Sequence, residues 1–146
     1  GCPVVLDSGI RFSADWIRQL PDLAMANQTV FKHTGGLHAA TIFDATGNLC
    51  VSAEDVGRHN AVDKAIGSLF LQGRFPLQDQ VLLVSGHAGF ELVQKSLFAG
   101  IAMMVAVGAP SSLAVDLARQ HGLTLIGFLR GDRFNVYSGF ERVLPE

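Results

Sequence analysis

The sequence of 146 residues has little charge of either sign, only two cysteines and no long apolar run. Charged residues make up 16% of the chain and its formal net charge is −2, so it lacks the basic excess typical of nucleic-acid-binding proteins. The longest apolar run, Ile101 to Val107, is far shorter than the roughly 20 residues of a membrane-spanning helix. The cysteines form no C-x-x-C or zinc spacing, which favours a reducing compartment. We therefore expect a cytoplasmic protein that binds neither nucleic acid nor membrane.

Apolar residues, by contrast, make up 49% of the chain, as expected for a sheet covered on both faces. The apolar patterns predict strands and helices that alternate along the second half of the chain, with strands at 81–85, 101–107 and 123–128 and helices at 60–71, 90–99 and 112–120. Short connections between such elements favour one α/β domain with a mostly parallel, mixed sheet and helices on both faces.

The other elements are predicted from turn and capping residues. Ser13 is expected to cap a first helix, which Pro21 breaks or restarts. A hairpin is predicted from strands at 37–43 and 49–53, joined by a tight turn, and a last strand at 134–137.

The densest polar segment of the chain runs from Glu54 to Lys64. Its ionisable side chains are Glu54, Asp55, Arg58, His59, Asp63 and Lys64. An amphipathic helix follows, so we expect these charges at the N-terminal end of a packed helix, where free N–H groups and the helix dipole favour anions. The segment is either the wall of a binding pocket or a capped, salt-bridged helix start.

Two further segments have the composition of anion-binding sites. His33, Thr34, Gly35 and Gly36 precede His38, and the glycine pair lets backbone N–H groups approach an anion closely. The segment from Phe128 to Arg133 places two guanidinium groups around Gly131, and arginine binds phosphate through two parallel hydrogen bonds. The alternatives are a turn with two surface imidazoles and a surface turn with two solvated arginines.

The polar segments share a position relative to the predicted strands. Residues 54–59, 85–89, 108–112 and 130–133 all follow strands. Ligands of open α/β sheets bind beyond the carboxyl ends of strands, so the pattern predicts one shared pocket. No set of residues has the spacing of a zinc site, and we predict none.

These motifs, in this order, resemble the FdhD/NarQ family. The matching landmarks are His33-Thr34-Gly35 with His38, the run from Glu54 to His59 with Asp63-Lys64, the run from Glu91 to Lys95, the run from Ala109 to Val115, and Leu123-Thr124-Leu125 with Gly127-Phe128. The resemblance covers about residues 33–140, behind a lead-in helix region at 1–32.

The resemblance implies a sulfur carrier required for formate dehydrogenase activity. Such proteins accept sulfur as a persulfide from a cysteine desulfurase and pass it to the molybdenum cofactor, a bis-molybdopterin guanine dinucleotide, before formate dehydrogenase receives it. The implied fold is a three-layer α/β/α sandwich like that of cytidine deaminase, without the zinc residues. A homodimer is one of the expected assemblies, and a guanine nucleotide such as GDP is expected to mimic the cofactor.

The family's guanine-dinucleotide contact corresponds here to a short segment before the last strand. Its residues are Phe128, Leu129, Arg130, Gly131, Asp132 and Arg133. Further cofactor-binding residues are expected among the other polar motifs, at His33, Thr34, Gly35, His38, Glu54, Asp55, Arg58 and His59.

The chain departs from the family pattern in two places. The persulfide cysteine of the family lies in a C-x-x-C loop, which is absent here and is expected upstream, so we predict the C-terminal domain of a longer protein with no catalytic residue of its own. His87 and Gly89 stand where the family usually has arginine and serine. Cys50 lies in an apolar strand, where we expect no cationic neighbour to activate the thiol.

Two alternative functions stay open at this point. One is a hydrolytic or deaminase-like enzyme that uses His38, Glu54 and His59 as acid and base groups. The other is a guanine-nucleotide-binding module without chemistry.

Overall fold

The computed structural model describes residues 4–26 and 37–145, which form one mixed sheet, its covering helices and a short terminal pair of strands. The elements in chain order are β1 (Phe12–Ser13), α1 (Ala14–Ala26), β2 (His38–Phe43), β3 (Leu49–Asp55), α2 (Arg58–Leu71), β4 (Val81–Val84), α3 (Phe90–Ala99), β5 (Met103–Ala106), α4 (Ser112–His121), β6 (Thr124–Arg130), β7 (Arg133–Ser138), a 3₁₀ helix (Phe140–Arg142) and β8 (Val143–Leu144).

The main sheet has six strands in the order β3-β2-β4-β5-β6-β7. Strands β4, β5 and β6 are parallel, while β2 and β7 are antiparallel to their neighbours. It follows that β3, β4, β5 and β6 all end at one edge of the sheet, where β2 and β7 begin. We call this edge the carboxyl edge. The predicted mostly parallel, mixed sheet is confirmed, since four of its six strands run in the same direction.

Helices cover both faces of the sheet, because successive side chains along its strands point alternately into two hydrophobic cores. In β4, Val81 and Leu83 belong to the core beneath α1, whereas Leu82 and Val84 belong to the core beneath α2, α3 and α4. Every residue of β4 is buried, so both faces of the strand bury apolar area. Each fully buried aliphatic side chain stabilises the fold by about 1.5–3 kcal/mol. The result is the predicted three-layer α/β/α sandwich.

Helix α1 is continuous across Pro21, although the sequence predicted an interruption there. The hydroxyl of Ser13 accepts a hydrogen bond from the amide of Trp16 at 3.1 Å, which confirms the predicted cap. Pro21 removes one backbone hydrogen bond, at a cost of about 3 kcal/mol in a helix interior. Buried side chains lie on both sides of it, at Ile17 and Ala24, so packing against the sheet maintains the helix.

Two boundaries differ from the prediction in ways that matter for the site. Strand β3 continues to Asp55, two residues beyond the predicted end, because Glu54 and Asp55 pair with β2. Helix α2 begins at Arg58, behind Gly57. The first two charges of the polar segment therefore belong to a strand and not to a helix start. In the part of the chain that the structure describes, no helix is long and apolar enough to cross a bilayer.

Candidate functional site

The described candidate residues lie along the carboxyl edge, in two groups. Asp55 ends β3 opposite His38, and Arg130 ends β6 opposite Arg133. Strand β3 is the first and β6 the fifth in the sheet order, so at about 4.8 Å per strand the two pairs lie roughly 19 Å apart. The described candidates thus form two separate polar regions on one edge, and the single shared pocket stays a prediction.

The middle of the carboxyl edge is closed by three glycines, Gly86, Gly108 and Gly127, which we call the glycine seam. The amide of Gly108 donates to the carbonyl of Gly86 at 2.9 Å, and the amide of Phe128 donates to the carbonyl of Gly108 at 3.0 Å. A Cβ on Gly108 would lie 3.0 Å from the Gly86 oxygen, and one on Gly127 would lie 2.8 Å from Cδ of Pro110. The seam thus brings the loops after β4 and β5 and the strand β6 closer together than larger residues would allow.

The loop after β4 connects the seam to β2. The hydroxyl of Ser85 accepts a hydrogen bond from the amide of Ala39 at 2.9 Å. A Cβ on Gly86 would lie 3.3 Å from Nδ1 of His38, so the imidazole lies directly against this glycine. Ser111 caps helix α4, since its hydroxyl accepts a hydrogen bond from the amide of Ala114 at 3.1 Å.

The first polar region is residues 54–64, which we call the α2 start, and it is braced from within. Oδ1 of Asp55 accepts hydrogen bonds from the amide of Gly57 at 3.0 Å and from Nδ2 of Asn60 at 3.3 Å. Nζ of Lys64 lies 2.7 Å from Oδ2 of Asp55 and donates to the carbonyl of Glu54 at 3.1 Å. The Lys64 ammonium group, followed by the Gly57 amide, lowers the pKa of Asp55 from 3.8 to about 2. Asp55 at the end of β3 and Lys64 in α2 therefore form an ion pair that braces the beginning of α2 against the strand.

Two further contacts join the α2 start to α3. Nδ1 of His59 lies 3.6 Å from Oε2 of Glu91, and Nζ of Lys95 donates to both carboxylate oxygens of Asp63 at 2.6 and 2.7 Å. Neither Glu91 nor Lys95 was predicted as a partner from the sequence. Glu91 and Lys95 are four residues apart, which places them on one face of a helix. This spacing is the sequence signal that could have indicated that both contact the α2 start.

Other charges of the α2 start remain unpaired. Within residues 4–26 and 37–145, neither the Glu54 carboxylate nor the Arg58 guanidinium group makes an ion pair or a side-chain hydrogen bond. No hydrogen bond joins Glu54 to His38 or His59 in the same part of the chain, so the described contacts assemble no acid–base pair for the enzyme alternative. Nor do any three metal-binding side chains come together among the described residues.

The second polar region is the β6–β7 turn, residues 128–133. Arg130 and Arg133 face each other across the strand pair, and neither makes an ion pair or side-chain hydrogen bond with any residue the structure describes. Phe128 has a φ of 54°, in the left-handed region that residues with a Cβ seldom adopt. Such strain persists only where the surrounding structure imposes it, and here the Gly108 carbonyl holds the Phe128 amide.

An open cavity of about 380 Å³ lies at this turn. Its lining residues are Phe128, Arg130, Arg133, Phe134 and Asn135, of which the last two were not predicted from the sequence. Leu129 is only 2% exposed and packs in the core beneath α1, so its side chain is directed away from solvent. The turn therefore combines two unpaired cations with aromatic walls, a combination that suits a planar anionic ligand.

The remaining sequence-based expectations concern the first histidine motif and the cysteines. His33, Thr34 and Gly35, and also Cys2, lie outside the described residues. The expectation that Cys50 has no cationic neighbour is wrong, because Nη2 of Arg74 lies 3.3 Å from its sulfur. The chain after α2 folds back beside β3, and a contact between residues 24 positions apart has no local sequence signal.

Known proteins of similar structure and sequence define first the fold class of this chain and then its family. The structure is similar, with a TM-score of 0.62 and 17% identity over 82% of the chain, to a deaminase/reductase of Thermotoga maritima, diaminohydroxyphosphoribosylaminopyrimidine deaminase/5-amino-6-(5-phosphoribosylamino)uracil reductase. This likeness shows the deaminase-like fold alone. The family profile described as the FdhD/NarQ family matches residues 2–144. The chain belongs to the FdhD/NarQ family.

Individual relatives support this assignment. The chain is 55% identical over 92% of its length to the sulfur carrier protein FdhD of Nocardia farcinica, and 51% identical over 96% to that of Sulfurisphaera tokodaii. It covers 48% and 55% of those two proteins, or about half of their length. A candidate formate dehydrogenase accessory protein of Desulfotalea psychrophila superimposes with a TM-score of 0.84 at 32% identity, over 97% of this chain and 59% of that one.

Proposed function

We propose that this chain is the domain of a sulfur carrier for formate dehydrogenase that binds the guanine-nucleotide end of the molybdenum cofactor at the β6–β7 turn. The longer protein would accept persulfide sulfur from a cysteine desulfurase and deliver it to the cofactor in the cytoplasm. The role is supported by the relatives named as sulfur carrier proteins, in which about half of the length matches this chain.

The observation that carries the proposal is the pair of unpaired arginines at the cavity. Arg130 and Arg133 are paired across two antiparallel strands, where like charges directly opposite each other are destabilising. A bound diphosphate would relieve this repulsion and accept several charge-assisted hydrogen bonds. The rings of Phe128 and Phe134 line the same cavity and offer faces for stacking a base.

The residues present fit the nucleotide part of the cofactor, and the fit rests on donor chemistry. Guanidinium groups are donors without acceptor atoms, so Arg130 and Arg133 select an anion. Asn135 also lines the cavity, and its amide carries both a donor and an acceptor for the edge of a base. When bound, the cofactor supplies the metal that takes up sulfur, while the residues of this chain hold and orient the nucleotide.

The proposal is tested by titrating the 146-residue chain with GDP in a calorimeter at low salt. Arg133→Ala should raise the dissociation constant about 10- to 150-fold, because one charge-assisted hydrogen bond contributes roughly 1.5–3 kcal/mol. Arg74→Ala is the matched control, since it removes the same charge beside Cys50 and should leave the affinity unchanged.

Two results would contradict the proposal. One is a wild-type chain that does not bind GDP, and the other is an Arg133→Ala variant with unchanged affinity. In cells, the longer protein carrying Arg133→Ala should accumulate normally and yet fail to support formate dehydrogenase activity. Full activity with that variant would show that sulfur delivery does not depend on the turn.

A further inference from the structure

The tip of the β6–β7 turn has little structure of its own. The ladder register shifts between Gly127 and Arg130, and the residues from Arg130 to Arg133 are all exposed. Gly131 has a φ of 59° and no atom within 4 Å of a Cβ built on it. The glycine seam fixes the base of the turn at Phe128, but it does not reach the tip. The strand ladder holds the backbones of Arg130 and Arg133 opposite each other, and a contact from elsewhere would fix the orientation of the tip relative to the rest of the fold.

Helix α1 supplies that contact through Arg18. Nε of Arg18 donates a hydrogen bond to the carbonyl of Asp132, at the tip, with a length of 2.8 Å. The same guanidinium group lies over the ring of Phe134, with its central carbon 5.8 Å from the ring centroid. Phe134 is a wall of the cavity, so Arg18 contacts the tip of the turn and one cavity wall at once.

Arg18 is itself held in this position. Its Nη1 donates to Oδ1 of Asp15, one helical turn earlier, at 2.7 Å, and its side chain is only 24% exposed. The guanidinium group thus uses Nε for the turn, Nη1 for its own helix and its face for the aromatic ring. A lysine would not reproduce this arrangement, because its single nitrogen lacks the planar fork whose separate nitrogens and face make the three contacts here.

We propose that Arg18 is a positioning residue for the nucleotide site, holding the β6–β7 turn so that Arg130 and Arg133 converge on the bound diphosphate. The inference rests on the proposed function, since it concerns the same cavity. It adds a residue on α1, more than 100 positions away in the chain, to a site otherwise built from β6 and β7.

The test compares GDP binding by the wild-type chain and by Arg18→Ala, Arg18→Lys, Arg133→Ala and Arg74→Ala. Arg18→Ala should weaken binding about tenfold, as expected when one charged hydrogen bond that orders the site is lost. Arg18→Lys should recover only part of the affinity, and added guanidinium ion at low concentration should restore it in Arg18→Ala. Arg74→Ala, which has the same charge change, should bind as the wild type does.

Two further measurements separate positioning from direct contact and from general unfolding. The dependence of affinity on salt should stay as in the wild type for Arg18→Ala, but should become weaker for Arg133→Ala, because only Arg133 pairs with the anion. Amide hydrogen exchange at Gly131, Asp132 and Arg133 should accelerate in Arg18→Ala without ligand, while exchange in α3 stays unchanged.

The outcomes distinguish this inference from the proposed function. Failure of the wild-type chain to bind GDP would overturn both. Wild-type binding that Arg18→Ala leaves intact would overturn the inference alone, as would a reduced salt dependence in that variant. If Arg18→Ala fails to fold, judged by the fluorescence of Trp16, then Arg18→Lys decides, and wild-type affinity in that variant would count against the inference.

Discussion

The α2 start and the β6–β7 turn both concentrate charge at the carboxyl edge, but they differ in how much of it is paired. Among the described residues only Glu54 and Arg58 of the α2 start are unpaired, whereas both arginines of the turn are. At the α2 start, Asp55, His59, Asp63 and Lys64 all have partners, either within the segment or on α3. At the turn, Arg130 and Arg133 have none among the described residues. A dense run of charges in a sequence can therefore indicate a largely braced element, and the charges that the fold leaves unpaired are the ones to test for binding.

The difference has a physical origin in chain connectivity. Asp55 meets Gly57, Asn60 and Lys64 because a strand end and the first turns of the following helix are close in sequence and in space. The turn has only like charges nearby in sequence, apart from the exposed Asp132, and no described residue pairs with either arginine.

The largest effect is expected when the glycine seam is disturbed beneath the turn. Gly127→Ala would place a Cβ 2.8 Å from Cδ of Pro110 and 3.1 Å from Cε2 of Tyr137. Overpacking of this kind should lower the free energy of unfolding by about 1–3 kcal/mol. It should also shift the turn and abolish GDP binding. Urea denaturation and calorimetry measure the two effects.

Gly67→Ala is the matched control for the seam. Gly67 lies inside α2, and a Cβ added there would have no atom within 4 Å, so alanine should raise the stability by about 0.5–1 kcal/mol through helix propensity. GDP binding should be retained. A Gly127→Ala variant that is as stable as wild type and binds GDP would show that the seam does not set the position of the turn.

A smaller effect, restricted to acid, is expected at the α2 start. The pKa of Asp55 is lowered from 3.8 to about 2, so its ionised form stabilises the fold above the unfolded value and this contribution disappears as pH falls towards 2. Asp55→Asn should therefore be less stable than wild type at about pH 5, and the difference should vanish between about pH 4 and pH 2. Urea midpoints measured across this range test the prediction.

Glu54→Gln is the control for the pH dependence of stability expected at Asp55. It removes a neighbouring carboxylate that makes no ion pair or side-chain hydrogen bond with the described part of the chain. Its stability should follow that of wild type at each pH. A difference between Asp55→Asn and wild type that does not depend on pH would mean that Asp55 braces the α2 start by shape and not by charge.

The smallest effect is expected for the ion pair between Asp63 and Lys95. Both side chains are partly exposed, at 56% and 31%, so a double-mutant cycle with alanine should give a coupling energy of about 0.2–1 kcal/mol. Neither variant should change GDP binding. A loss of binding in Asp63→Ala would show that the α2 start takes part in the nucleotide site, and would remove the distinction between the two regions.

Much of the fold could be predicted from the sequence because its signals are local. Helix α3 runs from Phe90 to Ala99 as predicted, ended by Gly100 with a φ of 85° that glycine adopts without strain. The two-residue strands β1 and β8 were not predicted, because they are too short for any periodicity. Packing against the sheet also carried α1 through Pro21, which local propensity could not foresee.

The candidate site divides in the same way between sequence and tertiary structure. The sequence by itself determined that two arginines flank Gly131 after a strand and that acidic and basic residues crowd the stretch from Glu54 to Lys64. Only the tertiary structure decided that these segments lie at opposite ends of the carboxyl edge, that Arg18 reaches the turn, and that Arg74 lies beside Cys50. Strand order and contacts between distant residues depend on how the whole chain packs, and no local pattern records them.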